Sequence, residues 1–367
     1  MDTLHKPGFH IPSLDGIRAC SILLVFIAHA GLQHLVPGGY GVTVFFFLSG
    51  YLITTLLIRE FEKKQSINIR NFYIRRTLRI FPPMFLVIGV ALATAAFKLL
   101  PDNHFTGMSV ISLATFWSNY YVPQPGWGLP AGTTAFWSLA IEEHYYLIFP
   151  VTFLFLRRSL SSRATAGVLA ILCIAALAWR CILVFKLGAD HDRVYYASDT
   201  RFDNILYGSI FALVWNPALG ATWKRPAWQL AALAAFAAAV VLFTIVYRND
   251  AFRNTLRYSI HGITLMPLFF YVISRSHTPA FKFLNFRPVV FLGKISYTFY
   301  LLHVLVLALV YEYTHLGTFD LTLAGKTIPM HMVAKALLAF GLTTLASWLI
   351  FLYVEQPAAR LKHRLQA

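Results

Sequence analysis

Apolar runs long enough to cross a bilayer recur from one end of this chain to the other, separated by short polar turns. About twenty predominantly apolar residues in helix span a hydrocarbon core roughly 30 Å thick. The pattern predicts about ten such helices, at 13–35, 40–59, 78–99, 135–156, 165–187, 201–216, 227–247, 257–274, 290–311 and 332–353. The fold class expected is all-α, a polytopic integral membrane helical bundle, with 108–121 (MSVISLATFWSNYY) as a candidate re-entrant segment. No long polar linker, low-complexity tract or convincing internal repeat interrupts the pattern, so 1–367 reads as a single transmembrane domain with no soluble domain. The first run is long and carries charge, and no small-residue cleavage site stands before the next span, which sets it apart from a cleavable signal peptide.

Composition sharpens this picture. Hydrophobic residues make up 58% of the chain and charged residues 13%, about half the charge of a soluble domain. The net charge of +16 is not a nucleic-acid signature, because the Lys and Arg fall mostly in short loops on alternate sides. One side carries Lys63, Lys64, Arg70, Arg75 and Arg76, then Arg157, Arg158 and Arg163, and later Arg275, Lys282 and Arg287. The positive-inside rule then puts both termini in the cytoplasm. Loop 248–257 breaks the pattern, with Arg248, Arg253 and Arg257 on the poorer side. Cys20, Cys173 and Cys181 sit in apolar runs without paired or metal-type spacing, so packing is expected and no metal site is visible.

Ionisable groups inside the spans are the candidate chemistry, since such a group in lipid marks a functional site by default. Arg18 and His29 are eleven residues apart in the first span; that is about 1100° of helical turn and roughly 16 Å of rise, so both side chains share a face. With Arg18 near the inner surface, His29 lies about 20 Å deep, and Glu142 reaches a similar depth from the other side. A carboxylate beside an imidazole orients a general base and stabilises its charged form. Ser138 and Tyr146 share the face of Glu142 at i, i+4 spacing. Arg180, Arg201, Asp203 and His261 lean toward the outer half, and His303 lies near mid-membrane, where a helix–helix hydrogen bond is the plainer reading. Arg76 and Arg79, one turn apart with Arg75 beside them, suit phosphate because guanidinium binds it bidentately; topology alone accounts for them equally well. Ser49 lies outside any G-x-S-x-G elbow.

Several blocks, in order, resemble the acyltransferase-3 family of membrane-bound O-acyltransferases. They are LDGIRACSILLVFIAHA with Arg18 and His29; GGYGVTVFFFLSGYLIT with Gly41, Phe46, Ser49 and Gly50; and FYIRRTLRIFPPM with Arg76, Arg79 and Pro82. FWSLAIEEHYYL with Trp137, Ser138, Glu142 and Glu143, LGKISYTFYLLH ending at His303, and the EQP at Glu355–Pro357 complete the series. The resemblance implies transfer of an acyl group, usually acetyl, from cytoplasmic acyl-CoA to a hydroxyl of a surface or lipid-linked carbohydrate, in the inner membrane of a bacterium. It implies His29 as catalytic base with Glu142, Arg18 helping to position the donor, and Arg76 and Arg79, with Arg75 nearby, holding the CoA phosphates. Trp137, Ser138, Arg201, Asp203 and His303 are the candidate substrate-binding residues. An acyl-histidine relay and direct transfer stay equally open. His144 stands where the family usually has Gln. The hydrolase-like domain fused to some members is absent from this sequence, so the chain is expected either to complete the reaction alone or to serve a separate extracytoplasmic partner.

Two other readings are compatible with the residues. One is acylation of a small hydroxylated metabolite. The other is a transporter of lipid-linked sugar, for which buried His, Glu and Arg would also serve. The acceptors would differ in contacts from loops 98–134 and 186–200, whose aromatic residues Trp117, Tyr120, Tyr121 and Trp127 suit stacking on sugar rings.

Overall fold

The computed structural model describes residues 11, 13–33, 36–101, 104–122, 128–315, 320–323 and 326–365. Ten long helices carry the fold: α1 Leu14–Ile27, extended by a π-turn at Ala28–Leu32, α2 Gly38–Lys64, α3 Ile69–Ala96, α4 Trp137–Ser159 and α5 Ser162–Phe185. The series continues with α6 Ser198–Val214, α7 Ala227–Val246, α8 Leu256–Ser274, α9 Arg287–Tyr313 and α10 Met330–Ile350. A second π-turn at Phe351–Glu355 carries α10 into a terminal segment, Gln356–Leu365. Among the described residues the strands are confined to one hairpin, Asp320–Leu323 against Lys326–Pro329.

Nine of these helices are long and apolar enough to cross a membrane. The remaining one, α6, has 17 residues and carries Asp199, Arg201 and Asp203, yet it lies at the centre of the bundle against α2, α5 and α8. Asp203 and Asp199 pair with Arg180 and Arg193, and Arg201 donates to Asn204, Tyr195 and Thr43, which lets a polar helix occupy that position. The periphery has the opposite character: Ile171 and Ile174 on α5 and Phe236 on α7 are two-thirds exposed, as expected of surfaces that face lipid tails.

Close helix contact explains the centre. A Cβ at Gly50 of α2 would stand 1.9 Å from the carbonyl oxygen of Ile205, and one at Gly208 of α6 would stand 1.9 Å from that of Phe47. The two glycines therefore let α2 and α6 approach backbone to backbone, the small-residue contact by which membrane helices pack. Gly293 of α9 plays the same part against Asp15 at the start of α1.

One helix boundary differs from the sequence expectation. The third helix begins nine residues before the expected 78, so Arg70, Arg75 and Arg76 lie within it; Asn68 caps this start by accepting from the Asn71 amide. Segment 108–121, expected as a candidate re-entrant element rather than a span, forms two short helices, Gly107–Ala114 and Ser118–Tyr121, of eight and four residues, too short to cross. Trp127 lies outside the described residues.

Candidate active site

Three cavities follow one another through the bundle. The first opens at the end where the basic loops lie and has a volume of about 510 Å³; Asp15, Arg75, Lys294 and Glu355 are among its walls. The second is a neck of about 110 Å³ in the middle, lined by Ser49, Ser138, Glu142, Tyr146 and Tyr297. Arg18, Arg76 and Arg79 belong to the walls of both. The third is a vestibule of about 660 Å³ at the opposite end, walled by His29, Trp137, Tyr195, Arg257 and His261, and it shares Val42 and Tyr300 with the neck. The passage has the profile of an hourglass.

The arginines at the inner constriction differ in how far they are neutralised. Arg75 lies 3.5 Å from Glu60, and Arg18 lies 3.2 Å from Asp15. Among the described residues Arg76 and Arg79 have no carboxylate within ion-pair distance. Arg76 instead packs over the Tyr146 ring, 4.9 Å from its centroid. A pair of free guanidiniums one helical turn apart at the mouth of a passage is a ready anion clamp.

Glu142 sits in the neck and accepts from Ser49 Oγ and Tyr146 OH, each at 2.9 Å. It does not meet His29. The sequence gives the two residues the same depth, but depth leaves open which way each side chain faces. Glu142 faces α2 and the arginines, whereas His29 sits in the π-turn at the end of α1 and opens into the vestibule. There the imidazole is exposed to the cavity rather than buried in helix packing.

The partner of His29 is His303, whose Nε2 lies 3.1 Å from His29 Nδ1. Two carbonyls fix the tautomers, because a carbonyl oxygen only accepts. His303 Nδ1 donates to Tyr300 O at 2.7 Å, and His29 Nδ1 is 3.0 Å from Val25 O. In the neutral rings His303 Nε2 is then the acceptor for His29 Nδ1–H, and His29 Nε2 keeps a bare lone pair. No described residue bonds that nitrogen. His303 thus occupies the helix–helix position read for it from sequence, and through that bond it also orients His29.

The remaining candidates separate. Trp137 walls the vestibule, and Ser138 lines the neck within 2.7 Å of Tyr300 OH. Arg201 is fully buried behind the vestibule floor, bonded to Asn204 Oδ1, Tyr195 O and Thr43 Oγ1 and placed 4.2 Å over the Tyr258 ring. Asp203 lines none of the three cavities. It is locked 2.7 Å from Arg180, with both side chains fully buried, so it ties α5 to α6. His144 turns away to Ser198 Oγ at 2.7 Å and leaves Glu142 alone.

Three features were under-read. Ser49 is a direct partner of Glu142, and its signal was a lone hydroxyl between FFF and Gly50. Loop 98–134 contributes no described residue to the vestibule, whereas Arg248, Arg253 and Arg257 do, together with His191, Tyr195 and Tyr196 of segment 186–200. Burial pushes the Tyr195 phenol up to about 12, so it stands in the vestibule as a neutral group.

The site thus joins a polar passage through a membrane helical bundle to an arginine pair at one end and a paired histidine at the other. The chain belongs to the acyltransferase-3 family, whose acyltransferase-domain model matches residues 11–352. It is 30% identical, over 374 aligned positions, to the proteins named O-acetyltransferase OatA from Staphylococcus aureus strains NCTC 8325, COL and MRSA252, covering 97% of this chain. The chain spans 58% of the length of those relatives. No solved structure matches it.

Proposed function

We propose that this protein is an acyl-CoA-dependent O-acetyltransferase that takes acetyl groups from the cytoplasmic side and delivers them to a hydroxyl of a carbohydrate in the opposite vestibule. The observation that carries this reading is the hourglass itself. Free Arg76 and Arg79 stand at one end of a narrow neck, and the bare Nε2 of His29 stands at the other.

The geometry supports a division of labour among these residues. Arg76 and Arg79, with Lys294 at the rim, suit the phosphates of CoA. A neck of about 110 Å³ admits a slender thioester-bearing arm and excludes a nucleotide or a sugar ring. Along α1 the arm would cover roughly 16 Å from Arg18 to His29. His29 Nε2 takes the proton of the acceptor hydroxyl as its oxygen bonds to the thioester carbonyl carbon. The C–S bond then breaks, and the proton passes from His29 to the departing thiolate. His303 Nε2, accepting from His29 Nδ1–H, favours the imidazolium that forms between these steps. Glu142, with Ser49 and Tyr146, gives the neck a fixed polar wall beside Arg76. Asp15 and Ala359 wall the same cavity as the arginines, and the positive-inside rule supports a cytoplasmic position for that end. The relatives named O-acetyltransferase support an acetyl group passed to a hydroxyl, and the ring faces of Tyr40, Trp137 and Tyr195 in the vestibule favour a sugar as its bearer.

The test is CoA release from acetyl-CoA by purified protein in lipid nanodiscs, with and without oligosaccharide acceptor. Acceptor-dependent release with acetyl ester on the sugar is expected. Absence of thiol release from folded protein with any short acyl-CoA would contradict it and favour a carrier.

A further inference from the structure

The vestibule on the His29 side is strongly cationic in a place where topology gives no reason for it. Arg248, Arg253 and Arg257 wall it, at the end away from the basic loops, and none of its described wall residues is Asp or Glu. Asp250 lies 3.4 Å from Arg253 but is 86% exposed, a surface pair of little electrostatic consequence; among the described residues Asp192 lies near the wall residue Tyr196 and Asp203 near Arg201, and neither lines the vestibule. Behind the wall, fully buried Arg201 has no carboxylate partner among the described residues. Arg201 and Arg257 lie over the same Tyr258 ring, 4.2 and 5.2 Å from its centroid. Two guanidiniums sharing one phenol ring are a like-charge arrangement that an anion would relieve.

Two buried polar atoms of this wall lack partners among the described residues. Arg257 Nε is one, and His261 Nδ1 is the other. Their chemistry differs, and that difference is informative. Arg257 Nε is a donor. Thr244 Oγ1 gives its hydrogen to Val241 O at 2.7 Å, so at its 2.7 Å contact with His261 Nε2 it must accept. In the neutral ring His261 Nδ1 is therefore an acceptor, buried beside the vestibule and without a partner among the described residues. Buried polar atoms are nearly always paired in a working complex, so a ligand that satisfies both offers an anionic oxygen and a hydroxyl close together. Tyr40, Trp137 and Tyr195 supply ring faces in the same vestibule, the surface that sugar rings stack on.

We infer that the acceptor is an anionic saccharide, bound through its carboxylate or phosphate by Arg257, Arg253 and Arg248 and through a hydroxyl by His261. This inference rests on the vestibule being the acceptor site of the proposed reaction, and it narrows the substrate class from carbohydrate to acidic carbohydrate.

The experiment measures equilibrium binding to the nanodisc-embedded full chain, without acetyl-CoA, so that it is independent of turnover. Three probes are compared: a uronic-acid trisaccharide, its carboxyl-reduced neutral form, and the neutral trisaccharide bearing a terminal phosphate. At least one anionic probe is expected to bind about tenfold tighter than the neutral form, as charge-assisted bonds imply, and to weaken as salt is raised. The arm that wins identifies the anion as carboxylate or phosphate. Arg257→Gln and Arg253→Gln should each erase most of that preference while leaving binding of the neutral form unchanged; Arg253, at the rim, is the variant that keeps the test valid if Arg257→Gln does not fold. Equal binding of all three probes, or an anion preference that survives both substitutions, overturns the inference. Selective anion binding without any acetyl-CoA turnover would keep the subsite and sink the acetyltransferase reading instead.

Discussion

His303 holds His29 by a ring-to-ring hydrogen bond, Nε2 to Nδ1 at 3.1 Å, across 274 residues of sequence. The bond joins the end of α1 to α9 and leaves the far nitrogen of His29 free in the vestibule. Because His303 acts through His29, its removal should slow the chemical step more than it weakens binding. His303→Ala is expected to lower kcat on the order of a hundredfold, with acceptor KM changed far less. His303→Gln, which keeps an acceptor near His29 Nδ1, should recover part of the loss. Steady-state kinetics checks this, and a rise in KM alone would reduce His303 to packing.

At the other end of the passage the arginine clamp has its own signature. Arg76→Ala and Arg79→Ala should each raise KM for acetyl-CoA about tenfold with little change in kcat, the loss of a charge-assisted contact to phosphate. Arg75→Ala should matter less, because Arg75 already leans on Glu60 at 3.5 Å. Equal effects of all three substitutions would point to topology rather than to phosphate.

Ser49 gives a sharp contrast between support and nucleophile. Its hydroxyl donates to Glu142 Oε1 and lies 3.1 Å from Tyr146 OH, so it fixes the neck wall. Ser49→Ala should lower activity by no more than about tenfold, the cost of one hydrogen bond to a charged group. Loss of all activity, together with an acyl-serine adduct in intact-protein mass spectrometry, would reassign it as the acyl carrier.

Asp203 should prove structural. Removing it leaves Arg180 buried without its counter-charge, which costs about 3–5 kcal/mol. Asp203→Asn is expected to lower the thermal midpoint of the detergent-solubilised protein sharply. The double change Arg180→Met, Asp203→Leu should regain much of it with acceptor KM near the parent value. A normal midpoint with raised KM would return Asp203 to the substrate.

Much of this molecule is legible in its sequence, for identifiable reasons. Nine of the ten long helices follow from apolar length. The spacing of Arg76 and Arg79 places them one turn apart on the third helix, and the count from Arg18 places His29 at the far end of the first. The partners of the polar groups do not follow. Axial depth is encoded in residue count, but azimuth depends on how neighbouring helices pack, so Glu142 was matched to His29 when its neighbours are Ser49 and Tyr146. The π-turn at Ala28–Leu32, with Gly31 at φ 88°, is likewise invisible to apolar periodicity. It ends the regular first helix before His29. α6 shows the same limit from the other side, because its charges look like a site in one dimension and are partly a buried ion pair in three. The arginines of loop 248–257 were visible as an exception to charge bias, and their meaning waited on the vestibule they wall.

The most direct test of the proposed function compares acetyl-CoA turnover by wild type and His29→Ala in nanodiscs with oligosaccharide acceptor present. Removal of the general base should lower acceptor-dependent CoA release about a hundred- to ten-thousandfold while donor binding persists. Turnover close to wild type in folded His29→Ala would contradict it.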